Sequence, residues 1–505
     1  MSCSKIFSGD LPELTYEVIK YFQNDYSTLY SCILVNRLWC RLTIPLLWEN
    51  PFSICTENND FIEIYLCNLN NDFITILNEY KIFNNSLSTN TLFNYPSFLK
   101  YLNTYKFITS IDKWVDYVIR NSTFEISYLF KHFDSVSKLI FKIFIENEIK
   151  LHTLEIEISG TYYSTYFNEI LELILQNQNF IHNIGNLKLY IKNYDENMDH
   201  ILQITHLHQN LKKILICNNY TSLYQSLLLS KDYNCSNTLN TITFYYVDFR
   251  KIINLDKVFG QLNVLETVHI INCSSLEQII NLSKPFKLKS LILIKIQFES
   301  LQQLLLKSGD YLENFGLGFS YGLSSRQVLL GLIIKYCKNI KFLDLCEICE
   351  FRYQITYEIL DLIENIKQAL NHLSINILED NHSTNDSSII LKNLGQALPS
   401  KLEYLSLELK VKESDFRAFL ENSQDVFINK LLIKLQIGSD DISHYIKEYI
   451  MKGERVKYLA IMDINNNNQL SDFRDEVVEF KLYNIGVRSY NDLLISVDKF
   501  IKNID

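Results

Sequence analysis

Leu151-His152-Thr153-Leu154-Glu155-Ile156, residues 151–156, is the first full instance of a short apolar motif that returns through the rest of the 505-residue chain. Its apolar residues stand at the first, fourth and sixth positions. The same spacing recurs at Leu239, Ile242 and Phe244, at Leu265, Val268 and Ile270, and at Leu288, Leu291 and Leu293. It continues at Leu312, Phe315 and Leu317, at Ile340, Leu343 and Leu345, at Leu370, Leu373 and Ile375, and at Leu402, Leu405 and Leu407. The phase can also be traced at Ile184, Leu211, Ile428, Val456 and Val477. Successive starts lie roughly 21 to 33 residues apart, about 27 on average, a period at which a single strand–helix unit cannot bury its apolar side and must stack on its neighbours.

Within the motif the fourth and sixth residues point to one face of a strand and the fifth and seventh to the other. Between the motifs lie segments with helical apolar spacing, at Glu169–Gln176, Ser300–Leu306, Gln327–Tyr336, Asp415–Leu420 and Ile442–Ile450. Each unit therefore reads as strand, turn, helix, turn, and the fold class as an α/β solenoid. These units look like leucine-rich repeats. The resemblance implies a horseshoe of about 12 repeats over residues 151–505, with the fifth and seventh positions on its concave sheet face. The chain departs from that family where the Asn or Cys expected at the ninth position is mostly missing and aromatic residues often replace Leu. The rival architecture is an all-α helical solenoid. The segments Thr241–Val247 and Leu291–Ile296, short and rich in β-branched and aromatic residues, favour strands over it.

The sequence ahead of the array has a different pattern. Asp10-Leu11-Pro12-Glu13 reads as a helix start, with an acid at the cap and a proline in the first turn. Leu14, Val18, Ile19 and Phe22 come next at helical spacing, then Tyr26, Leu29, Tyr30, Ile33 and Leu34, then Trp39, Leu42, Leu46, Leu47 and Trp48 before Pro51. Three short helices over so few residues expose more apolar surface than they hide among themselves, so they need a partner or a neighbouring domain. Leu11-Pro12, then Leu34-Val35-Asn36-Arg37-Leu38-Trp39, then Pro45-Leu46-Leu47-Trp48 resembles the F-box, and the wording of residues 31–52 is similar to F-box-like proteins of fungi. The resemblance covers residues 10–52. It implies docking on the Skp1 adaptor of a cullin-RING ubiquitin ligase, with Leu11, Pro12, Ile19, Leu34, Val35, Trp39 and Trp48 supplying the apolar contact or its support. Which of these face the adaptor and which face inward is left open by the sequence. Tyr16 and Tyr26 place bulky rings near the first two helices, where they could alter the docking surface.

Residues 53–150 belong to neither pattern. Phe61–Leu69, Phe73–Tyr80 and Ile111–Ile119 read as helices separated by Asn-rich turns such as Asn84-Asn85, and the segment as a helical connector or irregular first repeats. Asn465–Asn468 reads as a long loop.

Composition narrows the function classes. With 47% hydrophobic and 21% charged residues the chain has the apolar surface to fold along most of its length. A formal charge of −10 without a basic cluster argues against nucleic-acid binding. No apolar window suggests a membrane span or secretory leader. The 11 cysteines, an odd number without framework spacing, read as reduced thiols and point to the cytoplasm or nucleus.

The sequence carries no phosphate-loop, dinucleotide-binding or H-E-x-x-H motif. With 13 glycines a phosphate-cradling loop is hard to build, and Gly316-Leu317-Gly318 reads as close packing in a strand. Cys346-Glu347-Ile348-Cys349 has zinc-knuckle spacing but lacks a second pair, and His206 and His208 fall on different faces of a helix. No cofactor, metal or catalytic residue is assigned. The expected role is a non-catalytic substrate receptor of a Skp1–cullin–F-box ligase, which raises the effective concentration of a target protein near the ubiquitin-charged enzyme. The alternative is a repeat scaffold without a ligase role, its first helices capping the array. On either reading a target would be sought at fifth and seventh strand positions, with Tyr190, Tyr245, His269, Asp344, Asn376, Glu408 and Lys434 as candidates beside Lys188, Thr243 and Ser374.

Overall fold

The structure is a computed structural model describing residues 11–23, 25–54, 59–67, 91–120, 126–158, 164–191, 198–217, 224, 227–229, 235–293, 298–318, 323–349, 353–378, 386–495 and 499–500. The chain divides into two compact units, Met1–Ile242 with Gln261–Val264 and Thr243–Gly260 with Leu265–Asp505. Both mix helices with parallel strands.

The first unit opens with three helices, α1 Pro12–Lys20, α2 Tyr26–Ile33 and α3 Arg37–Leu47. Asp10 lies outside the described residues, and Leu11 stands at the cap of α1 without a side-chain cap bond. The next two starts are capped: Asp25 accepts from Thr28 N at 3.1 Å, and Asn36 from Trp39 N at 2.9 Å. Four strands come after them, β1 Tyr101–Asn103, β2 Thr153–Ile158, β3 Asn186–Ile191 and β4 Leu211–Cys217, each parallel to the next. The region read as a helical connector or irregular first repeats contains a strand: Leu102 pairs with Leu154, and the helix Thr104–Arg120 begins directly after β1. Phe61–Leu66 is helical as expected, whereas Phe73–Tyr80 and Asn84-Asn85 fall outside the described residues.

The second unit carries β5 Thr241–Tyr245, whose first two residues belong to the first unit, then β6 Thr267–Ile271, β7 Lys287–Leu293, β8 Asn314–Gly318 and β9 Phe342–Cys349. After these come β10 His372–Leu378, β11 Lys401–Leu409, β12 Phe427–Leu435 and β13 Val456–Asp463. From β6 to β13 every strand lies parallel to its successor. Strands at Thr241–Tyr245 and Lys287–Leu293 set aside the all-α alternative; residues 294–296 of the second expected segment lie outside the described residues. Helices cover the expected stretches, within Ser164–Gln176, Phe298–Ser308, Leu323–Tyr336 and Glu413–Asn422, and two more, Tyr353–Ile366 and Asp386–Ala397, lie where the sequence reading names none.

The register explains why the motif spacing matters. Leu291, Phe315, Leu343, Leu373, Leu405, Leu431 and Leu459 form one cross-strand row, and Leu293, Leu317, Leu345, Ile375, Leu407, Ile433 and Ile461 form a second. Every member of both rows is buried. The fourth and sixth positions thus make the core side of the sheet. Spacing between paired residues of these rows varies from 24 at Leu291 and Phe315 to 32 at Leu373 and Leu405 without disturbing them, because loops absorb the difference.

Some sequence assignments shift. Bulges between Leu187 and Lys188 and between Val268 and His269 move the phase, so that Leu189 pairs with Ile214 and Ile270 with Leu291. Leu265 is only half-buried, and Val477 lies in the helix Arg474–Leu482 instead of a strand. The tract expected as a long loop is a hairpin: β14, Asn468–Gln469, returns antiparallel on Met462 and Asp463. A last strand, β15 Gly486–Val487, pairs with Tyr458 and Leu459 of β13. Ile442–Ile450 becomes a short α-turn, Ser443–Tyr445, running into π-turns at Ile446–Met451.

Gly316 shows how tightly the strands pack. A Cβ there would stand 2.9 Å from Cγ2 and 3.2 Å from Cγ1 of Ile292, a buried β-branched side chain that has little freedom to turn away. Gly316→Ala should cost about 1–3 kcal/mol in urea unfolding. The double variant with Ile292→Ala should be less unstable than the two single losses added together, and additive losses would show that this contact is not the cause.

Candidate docking surfaces

The three-helix module sorts its apolar residues onto two sides. Ile19, Leu29, Cys32, Trp39 and Leu46 form a buried cluster, with Tyr16, Phe22, Leu42 and Leu47 packed against it. Left outside are Leu14, Val18 and Tyr21 of the first helix and its end, and Tyr30, Leu34 and Val35 of the second. Leu34 is 75% exposed and Val35 48%. Leu14 and Val18 are one helical turn apart, as are Tyr30 and Leu34, so each helix presents an apolar row to solvent. Of the residues singled out from sequence, Leu34 and Val35 thus face outward, Leu11 and Pro12 are half-buried, and Ile19, Trp39 and Trp48 face inward.

Trp48 is buried by aromatic rings from later in the chain. Its ring centroid lies 4.4 Å from Tyr95, 5.2 Å from Tyr65 and 6.4 Å from Phe61. Beside it the Glu49 carbonyl accepts N–H bonds from both Lys100 and Tyr101 at 3.0 Å, and the Glu49 carboxylate meets Lys100 Nζ at 2.5 Å. The module is therefore joined to the start of β1 through its last helix while the apolar rows of α1 and α2 stay uncovered.

The second surface is the sheet face opposite the buried rows. On β6–β8, His269 Nδ1 and Ser290 Oγ are 2.7 Å apart and Asn314 Nδ2 donates to the same oxygen at 2.9 Å. His269 is 1% exposed, so this target-binding candidate is corrected to a buried polar pair, and Tyr190 is buried as well. Tyr245 is half-buried, its ring 4.7 Å from that of Tyr246. Asn376, Glu408 and Lys434 do come together: Glu408 accepts from Asn376 Nδ2 at 3.1 Å and pairs with Lys434 Nζ at 2.7 Å. Asp344 lies in the neighbouring register row with Ser374 and Ser406, half-exposed.

No protein-family model matches this chain, and no curated protein matches it. Among the described residues no group of three His, Cys, Asp or Glu side chains is placed to hold a metal ion, and no helix is long and apolar enough to cross a membrane.

Sequence reasoning missed an acidic pair on β2. Asn103 Nδ2 donates to Glu155 Oε1 and to Glu157 Oε2, both at 2.7 Å, and Glu157 is buried. The signal was available in the alternation, since residues 155 and 157 must share the face opposite Leu154 and Ile156. Burial, then the neighbouring Glu157, pushes the Glu155 carboxyl above its usual range. The folded chain then holds this proton more tightly than the unfolded one, so stability is greatest below the unfolded value and falls as pH rises through the raised one. Glu155→Gln should accordingly melt at or above the parent temperature near neutral pH, the two converging at about pH 4, where the parent carboxyl is protonated. A Gln variant that melts below the parent at neutral pH would refute this.

Proposed function

We propose that this chain is the substrate-recognition subunit of a Skp1–cullin–F-box ubiquitin ligase, acting in the cytoplasm or nucleus. Residues 10–52 are its F-box and the strand–helix units beyond are a leucine-rich-repeat array that takes a protein target. The observation that carries the reading is the pair of uncovered apolar rows on α1 and α2 in a module whose wording is F-box-like. Exposed apolar groups clustered on a small helical unit mark a surface made for a partner. Leu34 and Val35 would supply the contact, with Leu11 and Pro12 at its edge. Ile19, Trp39 and Trp48 would hold the helices that present it. Bringing a target to a charged enzyme requires no bond chemistry from the receptor, only two surfaces on one frame. The polar row Asn376–Glu408–Lys434 suits the target side, since it offers an acceptor and a cation already held in place.

The scaffold alternative draws on the junction of Glu49 with Lys100 and Tyr101, which is what a cap for the first strand would provide. It leaves the outward rows of α1 and α2 without a use.

The two readings separate under point substitution better than under deletion, because removing residues 1–52 would also strip Trp48 from Phe61, Tyr65 and Tyr95. Leu34→Glu with Val35→Glu should abolish co-purification with Skp1 and leave the melting temperature within error, since exposed positions contribute little to stability. Trp39→Ala should instead cost about 3–5 kcal/mol and loosen the module. Undiminished Skp1 capture by the double Glu variant, or no capture by the parent chain, would remove the ligase reading.

A further inference from the structure

The face of β11–β13 away from the buried rows is dry where an open sheet face would be wet. Tyr404 is 2% exposed, and Leu432 and Ala460, in the adjoining register row, are fully buried. They are covered by the chain's own later segment. Tyr490 packs among Tyr404, Leu432 and Ala460, and Leu493, Leu494 and Ile495 join the same cluster with Met462. Ile495 N donates to Tyr404 Oη at 3.4 Å, Tyr490 N to Gln469 Oε1 at 2.8 Å, and the Phe500 ring stands 4.5 Å from that of Phe342.

This segment is short and has little regular structure. It holds a single helical turn, Tyr490–Leu493, and Lys499 Nζ bonds back to the carbonyls of Asn491, Asp492 and Leu494, so the segment is folded partly on itself. Its grip on the sheet rests on a few apolar anchors. Between it and the strand starts lies an open groove of about 460 Å³, lined among others by Phe342, His372, Lys430, Leu494 and Phe500. An aromatic ring anchored among apolar residues with a polar margin is how peptide segments are held at interfaces.

We propose that the face of β9–β13 opposite the buried rows is a recognition surface for a short peptide segment carrying a tyrosine followed by a Leu-Leu-Ile cluster, and that residues 490–495 together with Phe500 occupy it in cis. A target segment of that chemistry then binds by displacing the chain's own. The proposal rests on the reading of the chain as a receptor for a protein target, and it names that target's class and the step that regulates its capture. The intramolecular occupant lowers the apparent affinity by the fraction of molecules in which the face is closed.

The test uses a fluorescein-labelled peptide of residues 489–500 and fluorescence anisotropy. It is offered to the full chain, to a chain ended at Ser489, and to the full-length Tyr490→Ala, Phe500→Ala variant. The shortened and substituted chains should bind the peptide about tenfold or more tightly than the full chain, and a peptide with alanine for the tyrosine should lose about tenfold or more, the loss typical of a buried aromatic anchor. Tyr404→Ala in the shortened chain should abolish binding. Equal affinity for all three proteins, or indifference to the tyrosine, would overturn the proposal. So would unfolding of both altered chains by circular dichroism, which would make the segment a core element. Skp1 capture is read on the same proteins: its absence alone removes the ligase reading, while absent peptide binding with intact Skp1 capture removes this proposal alone.

Discussion

The second unit depends on one constraint, the parallel registration of each strand from β6 to β12 with its successor. A strand of this sheet presents two apolar side chains to the core, and neither is covered unless the next strand arrives in the same phase. The rows running from Leu291 to Leu459 and from Leu293 to Ile461 satisfy that demand seven strands in succession. A slip of one residue would turn a whole strand's apolar set to the opposite face, which at β9–β12 carries Asp344, Ser374, Asn376, Glu408 and Lys434. The alternation of apolar and polar residues is therefore a specification of register as much as of burial. It tolerates loops of very different length because a loop enters the phase only at its two ends.

That is why so much of the fold was legible in the sequence. The three opening helices lie where the apolar spacing puts them, and motif starts from Leu288 to Leu402 precede or open strands with the expected inward residues. The failures have local causes. Strand β1 is three residues long and sits against a helix start, so Tyr101-Leu102-Asn103 carries too little alternation to stand out. The bulges after Leu187 and Val268 displace a phase that spacing alone treats as constant. Val477 matched the motif by composition while obeying the helical period of its neighbours.

The candidate surfaces were less legible, for a physical reason. Periodicity tells which side of an element a residue occupies and not what else lies on that side. Leu34 and Ile19 were equivalent in the pattern, yet one is open and the other sealed by Trp39 and Leu29. His269 was placed correctly on its strand, but the pairing with Ser290 that closes it over is a contact between strands 21 residues apart. Tyr404 belongs to a face that alternation would call wet, and it is covered from a segment some ninety positions later, as the Ile495 bond records. Contacts of that range leave no trace in local spacing.

The junction at Glu49 bears on how the chain folds. Most of the strand pairings join residues a few tens of positions apart, so closing each one fixes only a modest loop and one unit can add to the last. The relay from the Glu49 carbonyl to Lys100 N, and from the Lys100 carbonyl to Thr153 N, instead ties three places about fifty residues apart at each step. Loop closure of that length is slow. The opening helices can form early from their own caps, but Trp48 has nothing to bury against until Tyr65 and Tyr95 have arrived. During synthesis the module would pass through a stage in which both its outward rows and its Trp48 side are uncovered, the stage at which a binding partner or a chaperone would find it most adhesive.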